Sequence, residues 1–167
     1  NQGVRGSGSD LDSFFNQLKE SINALPRNAT GRCVTGDEAA ELGLDPAGRY
    51  RQAVAVVGMG NINAADIAQD VNVTACRQFV PNFEELWLRY GFAVPTVPVI
   101  IGSYLDDMGV VGIVPRACMR SSTGPDVDLI DQVHKGQDNA GLKRSIKKGL
   151  GLCREVLTED GQIVPSL

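Results

Sequence analysis

The stretch that decides the fold is VAVVGMGNINAAD, from Val54 to Asp66, where an apolar, β-branched run meets two closely spaced glycines. A strand that ends in such a turn opens the dinucleotide-binding motif, which needs a third glycine three positions after the second. Asn63 stands at that place, and Phe79–Asn82, about twenty residues on, do not form the acidic strand end that the motif requires. We therefore interpret the turn as structural, with the strand Arg51–Val57 leaving the core through flexible glycines.

The composition is that of a globular protein with one core. The chain has 167 residues, of which 43% are hydrophobic, and this is enough for a single domain. Sixteen basic and twenty acidic residues give a net charge of -4, and aromatic residues make up 5%. Nucleic-acid binding usually needs a basic surface interleaved with aromatics, so we exclude that partner. The sequence also holds no apolar run of the ~18 residues that a transmembrane segment requires.

The chain has a single histidine and four cysteines that lie far apart. The cysteines are Cys33, Cys76, Cys118 and Cys153. Metal sites favour closely spaced ligands, so we predict no metal. An even number of isolated cysteines is typical of disulfides formed in an oxidising compartment. We predict two bridges and favour Cys33–Cys118 with Cys76–Cys153, while four reduced, buried thiols are the alternative.

Two N-glycosylation sequons support an extracellular location. They begin at Asn28 and Asn72, and N-x-[ST] is an acceptor in secreted proteins. Together with the cysteines and a start without methionine, they predict a secreted glycoprotein. Asn28 follows Pro26 in a loop and is the better candidate, because Asn72 can equally lie in a strand or beside a helix cap formed by Thr74.

Apolar residues recur at steps of three and four between Leu11 and Leu25, and Pro26 then ends the pattern. This is the period of an amphipathic helix. The stripe can cover the protein's own core or pack against another chain. For the second case, the interface candidates are Leu11, Phe14, Phe15, Leu18 and Ile22.

Further along the chain, helices outnumber strands. Short buried strands are predicted at 99–101 and 110–114, and helices at 63–70, 74–80, from 82, from 126 to 134, and from 140 to 157. We predict an α+β fold, a single compact domain that is mostly helical with a small sheet and two disulfides. Residues 1–9 are expected to be a flexible arm, 10–160 the globular domain and 161–167 a tail.

No catalytic constellation is apparent in the sequence. His134 stands in a hydrophilic stretch without an obvious nucleophile, although acid–base triads need one. The neighbouring carboxylates of Glu84-Glu85 and Asp106-Asp107 are better explained by a helix start and a turn. We predict no catalytic residue and no cofactor. Basic residues are concentrated in one cluster, which consists of Lys143, Arg144, Lys147 and Lys148. The cluster can contact an anionic lipid, glycan or protein, or it can simply form a solvated helix face.

These observations favour a secreted, non-enzymatic protein that acts by self-association or by protein–protein interaction, as a structural subunit. One alternative is an extracellular carrier of a small apolar ligand, with Phe92–Ile101 and Val110–Val114 as the walls of its cavity. A second alternative is an enzyme of unrecognised type.

Overall fold

The computed structural model describes residues 2–145, 155–157 and 163–165. The chain divides into two compact units, whereas the sequence predicted one domain over 10–160. The first unit is built from both ends of the chain, up to Phe14 and from Ala65 onward, and the second unit is Phe15–Ala64.

A four-stranded sheet forms the centre of the first unit. Its strands, in spatial order, are β1 (Gln2–Asp10), β6 (Asp107–Pro115), β5 (Val99–Tyr104) and β4 (Trp87–Leu88). The three longer strands are antiparallel, and β4 runs parallel to β5. β1 is therefore an outer strand of this sheet, although it comes first in the chain.

The sequence of β6 alternates between the two faces of the sheet, because successive side chains of a strand point in opposite directions. Met108, Val110 and Val114 are buried on the inner face, while Val111 and Ile113 are exposed on the outer face. One side of the sheet therefore faces a core, and the other side does not.

Two long helices cover the inner face: α3 (Ala64–Arg77) and α5 (Pro125–Asn139). The buried cluster between helices and sheet consists of Val73, Cys76, Val80, Phe83, Val99, Ile101, Met108, Val110, Leu129, Ile130 and Val133. Phe83 begins a short helix, α4 (Phe83–Leu86), which leads directly into β4. The first unit is thus a two-layer α/β structure.

The second unit is small and contains a two-stranded sheet. Its elements are a 3-10 helix (Leu25–Asn28), β2 (Ala29–Val34), α2 (Asp37–Glu41) and β3 (Tyr50–Ala53). β2 and β3 pair antiparallel, so the strand before the glycine turn does not belong to a parallel βαβ unit. This agrees with the structural interpretation of Gly58 and Gly60.

Four short elements complete the described residues. α1 (Phe14–Gln17) follows β1, a 3-10 helix (Arg116–Cys118) follows β6, and β7 (Glu155–Leu157) pairs antiparallel with β8 (Ile163–Pro165). Among the described helices, none combines the length and the apolar character that crossing a bilayer demands.

The predicted fold class is wrong. The chain is mixed α/β with 34% helix and 28% strand, not mostly helical with a small sheet. The residues from 140 to 145, where a long C-terminal helix was expected, form no helix, and Glu155–Leu157 form β7. The rest of that expected helix lies outside the described residues.

The predicted disulfides are also wrong, because no pair of described cysteines lies at disulfide distance. Cys33, Cys76 and Cys118 are free thiols, and Cys153 lies outside the described residues. Cys76 is fully buried in the core on α3. There it serves as a small apolar side chain rather than as a cross-link.

The amphipathic helix expected from Leu11 to Leu25 shrinks to the four residues of α1. Ser13 just before it has a φ of 49°, which a continuous α-helix does not allow. Farther on, Lys19 forms a β-bridge with Val56, and Glu20 donates its amide proton to the carbonyl of Ala55. The apolar residues from Leu11 to Leu25 therefore have helical spacing without forming one helix, because the chain passes from the first unit to the second after Phe14.

The flexible arm expected at residues 1–9 is instead β1. All nine of its residues pair with β6, from Gln2 opposite Pro115 to Asp10 opposite Asp107. Glycine and serine have low β-propensity, so local sequence did not predict this strand. Its order comes from contacts with residues more than a hundred positions away, described below. Part of the expected tail 161–167 is the strand β8.

Candidate interaction site

The outer face of the four-stranded sheet exposes a row of apolar side chains. Val4 on β1 stands opposite Ile113 on β6, and Val111 on β6 stands opposite Ile100 on β5. Val4 is 38%, Val111 40% and Ile113 48% exposed. Half-exposed aliphatic residues on three adjacent strands form a continuous patch, which we call the open face, and such patches mark interaction sites.

Glycines cross the middle of the open face. Gly8 on β1 is paired with Gly109 on β6, which in turn is paired with Gly102 on β5. A Cβ added at Gly102 or Gly109 would meet nothing within 4 Å. The three glycines therefore leave a trough whose floor is bare backbone, with the pair Ile100 and Val111 along one side.

The trough belongs to an open groove of about 540 Å³. Leu88 stands at its β4 end, and Tyr104 and Asp107 stand on the side opposite the aliphatic pair. Tyr104 is largely exposed. The groove thus combines an apolar wall with a phenolic and acidic wall, and it contains no enclosed chamber.

On the inner side, β1 is anchored by Arg5, which is 0% exposed. Its Nε donates to Asp126 Oδ2 at 2.6 Å and its Nη2 donates to Oδ1 at 2.5 Å. The guanidinium also donates to three backbone carbonyls, those of Cys118, Ser121 and Thr123, at 2.8, 2.8 and 3.1 Å. All five guanidinium N–H groups can be satisfied by this set, which we call the arginine socket.

Two glycines shape the arginine socket. A Cβ at Gly112 of β6 would lie 2.8 Å from the Cβ of Asp126, and a Cβ at Gly124 would lie 2.5 Å from Nη2 of Arg5. Gly124 also has a φ of 145°, which side chains rarely adopt. Both positions therefore require glycine if the carboxylate and the guanidinium are to meet here.

The charges in the socket stabilise each other. The hydrogen bond to Asp126 raises the pKa of Arg5 and outweighs the opposing effect of burial. Burial tends to raise the pKa of Asp126, but the hydrogen bonds from Arg5 and from the backbone hold that pKa below its usual value. The pair is therefore ionised at neutral pH.

A second polar contact fixes the other end of β1. Ser9 Oγ donates to Gln137 Oε1 at 2.7 Å, and Gln137 Nε2 donates to Asn72 Oδ1 at 3.1 Å. Asn72 in turn donates to the carbonyl of Leu105 at 2.9 Å. This buried chain connects β1, α5, α3 and the β5–β6 turn. Burial raises the pKa of the adjacent Cys76 thiol to about 12, so that thiol is not a nucleophile at neutral pH.

The two sequons have different environments. Asn72 is 0% exposed and both ends of its amide are hydrogen-bonded. Asn28 ends a 3-10 helix and is partly exposed. A glycan can be accommodated on the folded chain only where the amide reaches solvent, so Asn28 remains the better candidate.

We expect glycan at Asn28 and none at Asn72 when the chain is secreted from a eukaryotic host. Site mapping by mass spectrometry should find the modified peptide around Asn28, and Asn28→Gln should remove the mass shift on enzymatic deglycosylation. A folded, secreted protein with glycan on Asn72 would contradict the burial of that side chain.

The residues predicted as an interface lie mostly in the interior. Leu11, Phe14 and Leu18 are buried, Phe15 is half-buried, and only Ile22 is strongly exposed, at 78%. Leu11 and Phe14 belong to the first unit, and the other three residues belong to the second. The signal in the sequence that points to the open face is the presence of glycines next to valine or isoleucine in β1, β5 and β6.

The predicted basic cluster is only partly described. Arg144 makes a two-point ion pair with Asp138, at 3.1 and 3.0 Å, and Lys143 is exposed. Lys147 and Lys148 lie outside the described residues. The pairing of Arg144 reduces its availability for an external anion.

His134 lies half-buried on α5. Burial and then the charge of Arg144 lower its pKa, against the opposing charges of Asp131 and Asp138. The histidine is therefore neutral at physiological pH, and the pKa shift is accounted for by its packing.

A stack of arginines and aromatic rings lies beside β4. The guanidinium carbons of Arg77 and Arg89 are 5.4 and 4.9 Å from the Trp87 ring centroid, and Arg89 is also 4.2 Å from that of Phe92. Glu84 contacts both arginines, at 2.9 and 3.6 Å. Cation–π contacts of this kind contribute about 0.5–1 kcal/mol each at exposed sites, and they hold the short strand β4 in place.

No protein-family model matches the chain, and no curated protein matches it in sequence.

Proposed function

We propose that the protein is a non-enzymatic assembly subunit that self-associates, with the open face as its contact surface. The observation that carries the proposal is the aliphatic row of Val4, Val111 and Ile113 on a sheet whose other face is already packed against α3 and α5. Antiparallel sheets often leave one face in water, but that face is then polar. Here it is apolar.

The area of the open face limits it to a weak dimer. β1 and β6 have nine residues each, β5 has six and β4 has two, at about 3.3 Å per residue and about 4.8 Å between strands. Two such faces would together cover roughly 800 Å², in the range of weak, transient contacts. We therefore expect a concentration-dependent dimer rather than an obligate one.

The shape of the face supports a second copy as the occupant. The aliphatic row forms a ridge, and the glycines Gly8, Gly109 and Gly102 form a trough beside it. In a two-fold dimer the same patch is used by both subunits, so the ridge of each copy can enter the trough of the other. Face-to-face sheets pack through this kind of interdigitation.

The charge distribution of the face agrees with self-association. Asp107 stands at one end of the face and Arg89 at the edge of its groove, whereas the aliphatic row and the glycines between them are uncharged. Desolvating such a surface carries little electrostatic cost. A strongly charged partner would gain little from it.

Ile113→Lys tests the proposal. A lysine in the centre of the ridge would be desolvated in the dimer, so we expect the dimer to weaken at least about tenfold, which corresponds to about 1.4 kcal/mol. Sedimentation equilibrium over a range of concentrations measures the dissociation constant. Gly109→Leu, which fills the trough without adding charge, should weaken the dimer as well.

Ile67→Lys is the matched control, because Ile67 is 42% exposed on α3, away from the sheet's outer face. It should leave the dissociation constant unchanged. A wild-type chain that stays monomeric at the highest soluble concentration, or equal effects of the two lysine substitutions, would refute the open face as the contact surface.

We further propose that the assembly works outside the cell, and this location is supported by the partly exposed sequon at Asn28. The free thiols of Cys33, Cys76 and Cys118 do not support it. The carrier alternative requires an enclosed apolar cavity, whereas the groove on the sheet is open along its length. The observations therefore favour association over transport of a ligand.

A further inference from the structure

The first strand is joined to its sheet in an unusual order. β1 pairs with β6, yet the chain leaves the first unit after Phe14, builds the separate second unit, and returns only at Ala65. β1 is an outer strand, so its removal leaves β6, β5 and β4 contiguous. Within the described sheet, β1 is therefore held by strand pairing with β6 and not by a direct chain connection to it.

The site that β1 occupies selects for this strand. The arginine socket presents the carboxylate of Asp126 and the carbonyls of Cys118, Ser121 and Thr123, all of them acceptors that converge on one guanidinium. Without an arginine these acceptors would lack their donor in a buried place, which is costly. The adjacent edge of β6 offers a nine-residue backbone ladder.

We infer that the edge of β6 together with the arginine socket is a strand-accepting site, and that it takes β1 from a second copy of this chain as well as from its own. Exchange of an identical element between protomers makes the same contacts in the dimer as in the monomer. Addition of a strand to a sheet edge is an established mode of protein association, in which backbone hydrogen bonds give affinity and side-chain pockets give specificity.

The open-face proposal can be tested at a residue that strand exchange does not use. Strand exchange depends on Arg5 and on the β6 edge, where Ile113 is paired with Val4 of β1. Ile100 belongs to the open face but lies on β5, which does not pair with β1. Ile100→Lys should therefore weaken face-to-face dimers and leave strand acceptance intact, so either idea can fail without the other.

The experiment uses a synthetic peptide with the sequence of residues 1–12, labelled with fluorescein at its carboxyl end, and the full-length chain. Fluorescence anisotropy measures its binding to wild-type chain and to Arg5→Lys chain. Lysine keeps the charge opposite Asp126 but loses the two-point geometry, so the resident strand is held less firmly. We expect saturable binding to both chains, at least about tenfold tighter to Arg5→Lys.

A peptide with Arg5→Ala is the matched control, and it should bind about a hundredfold more weakly because it leaves the Asp126 carboxylate unpaired. The Ile100→Lys chain should bind the wild-type peptide as the wild-type chain does, because Ile100 lies on β5 and does not pair with β1. Circular dichroism first establishes that each host is folded. No saturable binding to the folded wild-type chain after equilibration, or equal binding of the two peptides, would overturn the inference.

Discussion

Asp126→Asn is expected to lower the free energy of unfolding by about 3–5 kcal/mol, the cost of breaking a buried ion pair by removing one partner. Arg5 and Asp126 are both fully buried. Asparagine has almost the same volume, but it offers one carbonyl acceptor in place of two carboxylate oxygens, and its NH2 group faces the guanidinium donors. The positive charge of Arg5 then has no counter-charge in the interior. Urea denaturation followed by circular dichroism measures the loss.

Asp138→Asn is the matched control for this prediction. It removes the same charge from an ion pair with Arg144, but that pair is exposed, with Asp138 at 56%. Solvent-exposed pairs contribute about 0–1 kcal/mol, so Asp138→Asn should have a small effect. Similar losses of unfolding free energy for the two variants would contradict the burial of the arginine socket.

The pH dependence gives a second check on the same pair. The pKa of Asp126 is lower in the folded chain than its ordinary value, so its stabilising contribution is present above the pKa of the unfolded chain, about 3.9. It is lost as the pH falls through the folded-state pKa. The stabilities of wild type and Asp126→Asn should therefore converge in acid and diverge at neutral pH.

Local patterns in the sequence were enough for the elements that are stabilised locally. The β5–β6 hairpin follows from two β-branched runs separated by a turn, and α5 follows from an apolar period after Pro125. Both predictions were correct in kind and too short in extent, because pairing and packing extend an element beyond its most apolar residues.

The remaining elements depend on contacts that the local sequence does not record. β1 reads as a glycine- and serine-rich arm, and it is a strand because Arg5 meets Asp126, 121 residues away. The stripe from Leu11 to Leu25 has helical spacing, but its residues are divided between two units. A periodic pattern predicts which side chains are buried. It does not predict whether they are all buried against the same surface.

The open face was missed for a related reason. From the sequence we would predict that Val4, Val111 and Ile113 lie in the core, because aliphatic residues are usually buried. Only the assembled sheet shows that α3 and α5 cover the inner face while Val4, Val111 and Ile113 on the outer face stay partly exposed among the described residues. Gly8, Gly102 and Gly109 lie at matching positions in three strands, which only the strand pairing reveals.

Gly136→Val is expected to lower the free energy of unfolding by about 3 kcal/mol, at the upper end of the range for overpacking a core. Gly136 on α5 faces α3 so closely that an added Cβ would lie 2.5 Å from the carbonyl oxygen of Ala75 and 3.0 Å from the Cα of Cys76. Both are backbone atoms of a helix, so a side-chain rotation cannot relieve the contact. α3 and α5 would have to move apart, and the cluster that includes Val73 and Val133 would loosen.

A graded series separates this steric effect from helix propensity. Alanine favours a helix interior over glycine by about 1 kcal/mol, so Gly136→Ala would be stabilising if the site had room. We expect it to be destabilising by about 1–2 kcal/mol because the clash outweighs that gain. Gly102→Ala, where the added Cβ meets nothing within 4 Å, should change stability by less than about 0.5 kcal/mol. Thermal and urea unfolding of the three variants measure the order, and a stable Gly136→Ala would show that the two helices do not approach at this residue.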